Sequence, residues 1–577
     1  MDIHIIFKTH LDLGFTDFSD IIKDKYINDY IPKAVSLAYE LKDTETPFIW
    51  TVGSWIIYEA LKHDDGTLEK AIKDGLICWH ALPFTTHTEL MSEELMEYAM
   101  SLSGQLDKRF NKKTIAAKMS DVPGHTKGLV HFLSKAGVKL LHIGVNPATP
   151  VPDVPEIFNW KCGDDSVVTM YNGGGYGDFF QIGDIGVCFA HTADNFGPQD
   201  KKSVEEVYAS LRSKYPGAKL IASNLNNVAE YIADFADKLP TIDKEIGDSW
   251  IHGGGTDPKK MSLYRSLLRK IHKDGSVKYD LSDSLLPVPE HTWGLDLKTY
   301  FHNDTDYSLK DFEKIKDSDD CRAMEKSWQQ QREYVYKAYE AMGEDLEKNI
   351  EVAMPCFDGC IQAEIEEPDF EISYQLFDNK DYERYARQYM QCLDEWAMCD
   401  FTKVGLSGYS GGTYTAKPVE MWKKGESRIY KLEFDSDIAR MCGLPYFLVE
   451  RTGGDYEFKW FGKKKNRMPE AFWIKFKNTG SENWLLKKLG VYIDPDESLG
   501  NPFLHGIWDR VKNEEFEIIS YDAALAAPFG RNLLNYDMNV RNKDLYFNLY
   551  NNIWNTNFPM WYDEDTKFRF TVNMLNK

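Results

Sequence analysis

Thr9-His10-Leu11-Asp12-Leu13-Gly14-Phe15 is the stretch on which the reading of this chain turns. Just before it, Ile3, Ile5 and Phe7 alternate with Asp2, His4 and Lys8, the period-two signature of a strand with one buried face. The strand therefore runs straight into a His-x-Asp pair. Side chains two apart in extended backbone point to one side, so His10 and Asp12 converge on a point above the strand end where a cation fits. Imidazole nitrogen together with carboxylate oxygen suits a borderline divalent ion such as zinc. Gly14 permits a sharp turn, and Phe15 sets an aromatic face beside that point. A loop histidine and a turn aspartate would spell the same letters, and the rest of the chain decides between the two readings.

A chain of 577 residues is too long for one core and divides, on length, into three or four domains. Hydrophobic residues make up 43% and aromatics 14%, enough to fill packed cores. The formal net charge of -23 argues against a phosphate-binding surface, because nucleic-acid binding releases counterions from basic patches. The longest basic run, Lys463-Lys464-Lys465, is a solvated turn on this reading. No stretch is long and apolar enough to predict a membrane span, and the charged N-terminus predicts no secretory leader. Nine scattered cysteines predict free thiols and a reducing, cytoplasmic setting. Cys356 and Cys360 lack a second ligand pair, so both are read as thiols and not as a metal site.

From residue 1 to about 249, short apolar runs alternate with amphipathic stretches, the rhythm of a parallel-stranded domain. Strands are predicted at 4–7, 48–51, 76–79, 116–119, 140–143, 167–171 and 218–222, with helices at 92–109 and 127–136. Seven such strands suggest a (β/α) barrel, and functional groups in such domains gather where strands end. After the third strand, His80, His87 and Glu89 are candidate substrate contacts or groups orienting a metal ligand. After the fourth, Ser120-Asp121-Val122-Pro123-Gly124-His125-Thr126 opens a helix, and Asp121 is either its cap or a carboxylate aimed at the same mouth as His10. The glycines of 173–177 do not fit a dinucleotide fingerprint and read as a loop. Asp248, Trp250, His252 and Asp257 lie on a glycine-rich loop suited to sugar contacts and candidate acids, before a helix at 259–273 that Pro258 opens. Pro287 and Pro289 hold His291 and Trp293 on a rigid extended piece, and a second helix is predicted at 319–342. Beyond about 350, alternating runs at 430–434, 446–450, 472–475 and 568–572 predict an antiparallel β-sandwich, interrupted by one helix at 380–398. His505 and Asp509 stand there on a loop rich in sugar-contacting residue types.

Together these stretches resemble glycoside hydrolase family 38, the zinc-dependent α-mannosidases, and more closely a bacterial family related to them. His10-Leu11-Asp12-Leu13-Gly14-Phe15 is similar to the family's His-x-Asp-x-Gly-Trp motif, with Phe15 where its aromatic platform stands. Ser120-Asp121-Val122-Pro123-Gly124-His125-Thr126 is similar to its Asp-Pro-x-Gly-His-Ser motif, which carries the nucleophile. Residues 250–259 resemble the entry into its helical bundle, and the stretch around His291 the place of its last histidine ligand. The resemblance implies a barrel over 1–256, a helical bundle over 257–350 and a β-sandwich over 351–577. It further implies one Zn2+ per chain, held by His10, Asp12, Asp121 and His291, with Asp121 as nucleophile. Asp248 is the first candidate for the acid and Asp257 the second. Phe15, His87, Glu89, Trp250, His252, Asp257, Trp293, His505 and Asp509 are the expected substrate contacts. The expected function is a zinc-dependent retaining exo-α-glycosidase, α-mannosidase-like, acting on a small glycan or glycoside. The alternatives are a metal-dependent carbohydrate deacetylase and a catalytically silent sugar-binding protein. The partner is a carbohydrate, with no nucleic acid and no membrane, and homo-oligomer formation is left open.

Overall fold

A computed structural model describes the chain except residues 276–277, 303–304, 478, 480–482, 502, 538, 540–542 and 576–577. Its contacts group into two units. The first takes 1–88, 93–248 and 280–292, and the second takes 89–92, 249–279 and 293–577.

In the first unit the apolar alternation does form a strand, β1 (Asp2–His10), longer than the pattern alone suggested. β1 is the centre of a six-stranded sheet. It pairs in parallel with β2 (Trp50–Gly53), whose far edge carries β3 (Ile77–His80), and with β9 (Ile185–Asp194). β10 (Lys219–Ala222) also runs parallel to it, and β8 (Phe179–Ile182) closes the other edge antiparallel to β9. A second sheet has the order β11 (Thr241–Ile242), β6 (Ile157–Cys162), β7 (Asp165–Asn172), β5 (Leu140–Val145), β4 (Ala116–Asp121). Its β4–β5 and β5–β7 pairs are parallel, whereas β6–β7 is antiparallel.

The first unit is thus mixed α/β, with its strands divided between two sheets. Two hairpins, β6–β7 and β8–β9, were absent from the strand reading. The reason is local: Gly163 and Gly183 sit at positive φ in the tight turns, so the segments read as glycine-interrupted loops. Ile6, Leu140, Val168, Met170, Val187 and Phe189 share one buried cluster with the helix Leu225–Ile232, so the two sheets and this helix close on common apolar surface. The C-terminal ends of β1, β4 and β9 carry His10, Asp121 and Asp194.

The second unit holds the helices Pro258–Asp274 and Asp319–Ala341 and two largely antiparallel sheets of ten and six strands. Phe370 and Tyr374 from the smaller sheet and Phe458, Trp460 and Phe568 from the larger lie in one core. The helix expected over 380–398 is two helices, Asn379–Tyr389 and Glu395–Phe401. The buried tyrosine stripe ends at Tyr389, and Met390 leaves helical backbone at ψ 135°. No helix among the described residues is long and apolar enough to cross a membrane.

Candidate metal centre

β1 delivers His10 to its C-terminal end with the side chain wholly buried. The ring is fixed at both nitrogens. Nδ1 lies 2.8 Å from Ser120 Oγ, while Nε2 lies 2.9 Å from Asp12 Oδ1 and 3.1 Å from His291 Nε2. His291 arrives from residues 280–292, a segment tied down along its length. Trp55 Nε1 donates to the Ser282 carbonyl, and both the His87 N–H and Thr86 Oγ1 donate to the Pro289 carbonyl at 2.8 Å. His291 Nε2 stands 3.1 Å from Asp12 Oδ1 and 3.5 Å from Asp121 Oδ2. Glu290 Oε1 sits 2.5 Å from His291 Nδ1, a close but poorly aligned contact, and Glu290 Oε2 accepts from the Thr292 N–H and hydroxyl.

Asp121 ends β4 in a left-handed backbone (φ 79°), a conformation that aspartate tolerates better than most residues. Tyr176 Oη donates to its Oδ1 at 2.6 Å and Asn146 Nδ2 at 3.1 Å. Tyr176 reaches this position because β5 carries Gly144, where a Cβ would fall 2.5 Å from the Tyr176 carbonyl oxygen. Phe15 is also left-handed (φ 63°), an outlier for a bulky residue. Two strained positions beside one cluster fit the tendency of functional sites to store backbone strain.

The charges agree with the geometry. Burial alone would raise the Asp12 carboxyl, but the His10 charge and hydrogen bonds from both histidines hold it below the usual range. Burial also opposes ionisation of Asp121, which His291 and His10 pull down. His291 is disfavoured as a cation by burial, yet Glu290, Asp12 and Asp121 raise it well above an ordinary imidazole. Two imidazole Nε2 atoms facing each other across two carboxylates can share only protons or a cation, and Asp12 Oδ2 is buried with no hydrogen-bond partner. Four donors on a tetrahedron with bonds of 2.0–2.1 Å stand about 3.3 Å apart. His10 Nε2, Asp12 Oδ1 and His291 Nε2 stand 2.9, 3.1 and 3.1 Å apart, near that edge, and Asp121 Oδ2 lies 3.5 Å from His291 Nε2. His10, Asp12 and His291 thus offer one donor atom each within 4.8 Å of one another, a set able to hold a divalent cation, with Asp121 reaching His291 beside it and Ser120 and Glu290 facing the Nδ1 atoms of the two histidines.

Solved structures share this architecture. An α-mannosidase from Enterococcus faecalis V583 superposes with a TM-score of 0.61 at 9% identity, over 99% of this chain and 87% of that one. A protein in glycosyl hydrolase family 38 from Enterococcus faecalis gives 0.57 at 8% identity, over 100% and 86%. The fold is that of glycoside hydrolase family 38. Residues 254–358 match a domain of unknown function, DUF5054, and no curated protein matches the sequence.

Within this family 38 fold the remaining candidates have definite places. In the first unit, Asp248 is buried on the loop after Gly247, whose backbone touches Gly124 so closely that a Cβ there would lie 2.3 Å away. In the second unit, Glu89 Oε1 lies 3.1 Å from Lys488 Nζ, which is 2.9 Å from His505 Nδ1, so Glu89 and His505 belong to one buried network. Trp250 Nε1 donates to Tyr389 Oη, and the His252 ring packs 4.9 Å from Trp554. Asp257 caps the helix Pro258–Asp274 and takes both Arg332 Nε (2.7 Å) and Nη2 (2.9 Å). Burial would raise the Asp257 carboxyl, but the guanidinium holds it below its usual range, which makes it a poor proton donor. The Trp293 ring lies 3.4 Å beneath Lys260 Nζ, and Asp509 pairs with Arg510 at 2.7 Å.

Sequence reasoning missed Glu290, Ser120, Tyr176 and Asp194. Asp194 stands opposite His10 in the β1–β9 register, and burial followed by the Asp12 charge pushes its carboxyl up to about 7. The signal was present: the apolar run from Ile185 to Ala190 ends in His191-Thr192-Ala193-Asp194 just as β1 ends in His10.

Proposed function

We propose that this protein is a zinc-dependent retaining exo-α-glycosidase of α-mannosidase type. The observation that carries the reading is the meeting of His10, Asp12 and His291 at one buried point, with Asp121 3.5 Å from His291, in a fold shared with a solved α-mannosidase. These four residues would hold one zinc ion, which when bound supplies Lewis-acid fixation of sugar hydroxyls. Tyr176 and Asn146 fix the Asp121 carboxylate by its Oδ1 edge. Asp121 attacks the anomeric carbon and forms a glycosyl ester as the bond to the departing oxygen breaks, and Asp248 protonates that oxygen. Water then opens the ester, giving its proton to Asp248, and the product keeps its configuration.

The test uses the purified holoprotein with a panel of aryl α-glycosides, product anomers being followed by proton NMR. The expected result is turnover of an α-mannoside or close relative with retention, a loss of at least about a thousandfold in Asp121→Ala, and labelling of Asp121 by an activated fluoro-sugar. Acetate release from acetylated sugars without glycoside cleavage would replace the reading with a deacetylase. Sugar binding without turnover would replace it with a binding protein.

A further inference from the structure

Beside His10, the first unit holds a cavity of about 20 Å³ whose polar lining includes Thr9, His10, His80, Thr85, Lys118 and Ser120. That volume holds one small guest and excludes phosphate or sulfate. Its walls are rich in donors. Lys118, 6% exposed, carries three N–H groups and has one acceptor among the described residues, the Thr9 carbonyl at 2.9 Å. Ser120 Oγ takes the Nδ1 proton of His10 whenever His10 Nε2 is a ligand, which leaves the Ser120 hydroxyl proton seeking an acceptor. Thr85 is engaged with the Ser120 backbone, its Oγ1 accepting from the Ser120 N–H (3.1 Å) and donating to the Ser120 carbonyl (2.8 Å), and makes no hydrogen bond with the Ser120 hydroxyl. His80, 3% exposed, has its Nδ1 buried without a partner.

The charge count points the same way. Lys8 is wholly buried next to this group, its Nζ donating to the Tyr176 carbonyl and lying 3.5 Å from His142 Nδ1. Neither Lys8 nor Lys118 makes an ion pair with a carboxylate among the described residues, and burial pushes both amines down, Lys8 well below an ordinary lysine. Buried ammonium groups are costly unless they are paired. A water molecule would bring two donors of its own into a place already dominated by donors. A monatomic anion brings only accepting capacity, and its charge offsets the burial that disfavours the Lys118 ammonium.

We propose that this cavity binds a single monatomic anion, chloride in ordinary media, held by Lys118, the Ser120 hydroxyl and His80. Through Ser120 the anion fixes the hydroxyl orientation that receives the His10 Nδ1 proton, and so presents His10 Nε2 for ligation. The Ser120 part of the argument rests on the zinc reading, whereas the lysine and His80 parts do not. Burial pushes Lys118 down to about 7 against the pull of Asp12, and the anion restores the ammonium.

The test is an anomalous difference map at the bromine edge from crystals of the holoprotein soaked in sodium bromide, with zinc located separately at its own edge. One bromide peak in contact with Lys118 Nζ and Ser120 Oγ is expected, whether or not the zinc peak is present. In solution, sodium chloride should raise Tm by about 2 °C or more, with saturation, relative to sodium gluconate at equal ionic strength. Lys118→Met should lose both the peak and the chloride-specific shift. A cavity showing no bromine signal in the parent protein overturns the proposal irrespective of how Lys118→Met folds. So does a peak that persists unchanged in a folded Lys118→Met.

Discussion

Glu290→Gln removes one charge from the candidate metal centre while keeping its shape, and its consequence can be worked out atom by atom. In the parent, Glu290 Oε1 faces His291 Nδ1 at 2.5 Å and Oε2 accepts from both the Thr292 N–H (3.0 Å) and the Thr292 hydroxyl. Glutamine offers one oxygen and one NH2 for these three donors. If its oxygen stays on His291, the NH2 faces the Thr292 N–H; the Thr292 hydroxyl can rotate to accept, but the backbone donor cannot. If it flips, the NH2 faces the Nδ1 proton that a zinc-ligating His291 must carry. The first arrangement leaves a buried N–H unpaired, at a cost of about 1–3 kcal/mol in stability. In either arrangement the imidazole loses the carboxylate that raises its basicity, so zinc affinity should fall about 10–100-fold, equivalent to roughly 1.4–2.7 kcal/mol. The assay is chelator-competition zinc titration of parent and variant, with circular dichroism confirming the fold. A folded Glu290→Gln whose zinc affinity stays within about threefold of the parent would refute the view that Glu290 orients His291.

Three further outcomes follow from other contacts. His291→Ala should lose zinc by several kcal/mol, whereas His252→Ala, whose ring packs on Trp554, should bind it as the parent does; a paired titration with the reverse result would exchange their roles. Gly144→Ala places a Cβ 2.5 Å from the Tyr176 carbonyl oxygen, which should cost about 1–3 kcal/mol in urea denaturation and, by displacing Tyr176 Oη from Asp121, slow any turnover more than it weakens zinc binding. Asp257 has its carboxyl depressed in the folded state, so its pairing with Arg332 contributes stability that is complete above the unfolded pKa near 3.9 and is lost as pH falls through the folded value; Asp257→Asn should cost about 3 kcal/mol at pH 7 and flatten the acid limb of a stability–pH curve.

What the sequence determined by itself was local. The alternation of Ile3, Ile5 and Phe7 with polar neighbours places His10 at a strand end, because side-chain direction in extended backbone depends only on residue parity. The same logic marked Asp121 after β4, and prolines 287 and 289 marked a segment that could not be helical. Helices such as Pro258–Asp274 and Asp319–Ala341 fell within two residues of their predicted bounds, since their apolar stripes and caps lie within one stretch of chain. Only the tertiary structure decided which of two distant histidines meets His10, because nothing in a 281-residue separation encodes a 3.1 Å approach. It also decided which side chains orient the cluster. Glu290, Ser120 and Tyr176 are ordinary letters in sequence, and they acquire their roles from a carbonyl, a ring or a glycine gap supplied by other strands. The division of the first-unit strands into two sheets was equally out of reach, since pairing partners are chosen by the burial of whole faces and not by the residues of any one strand.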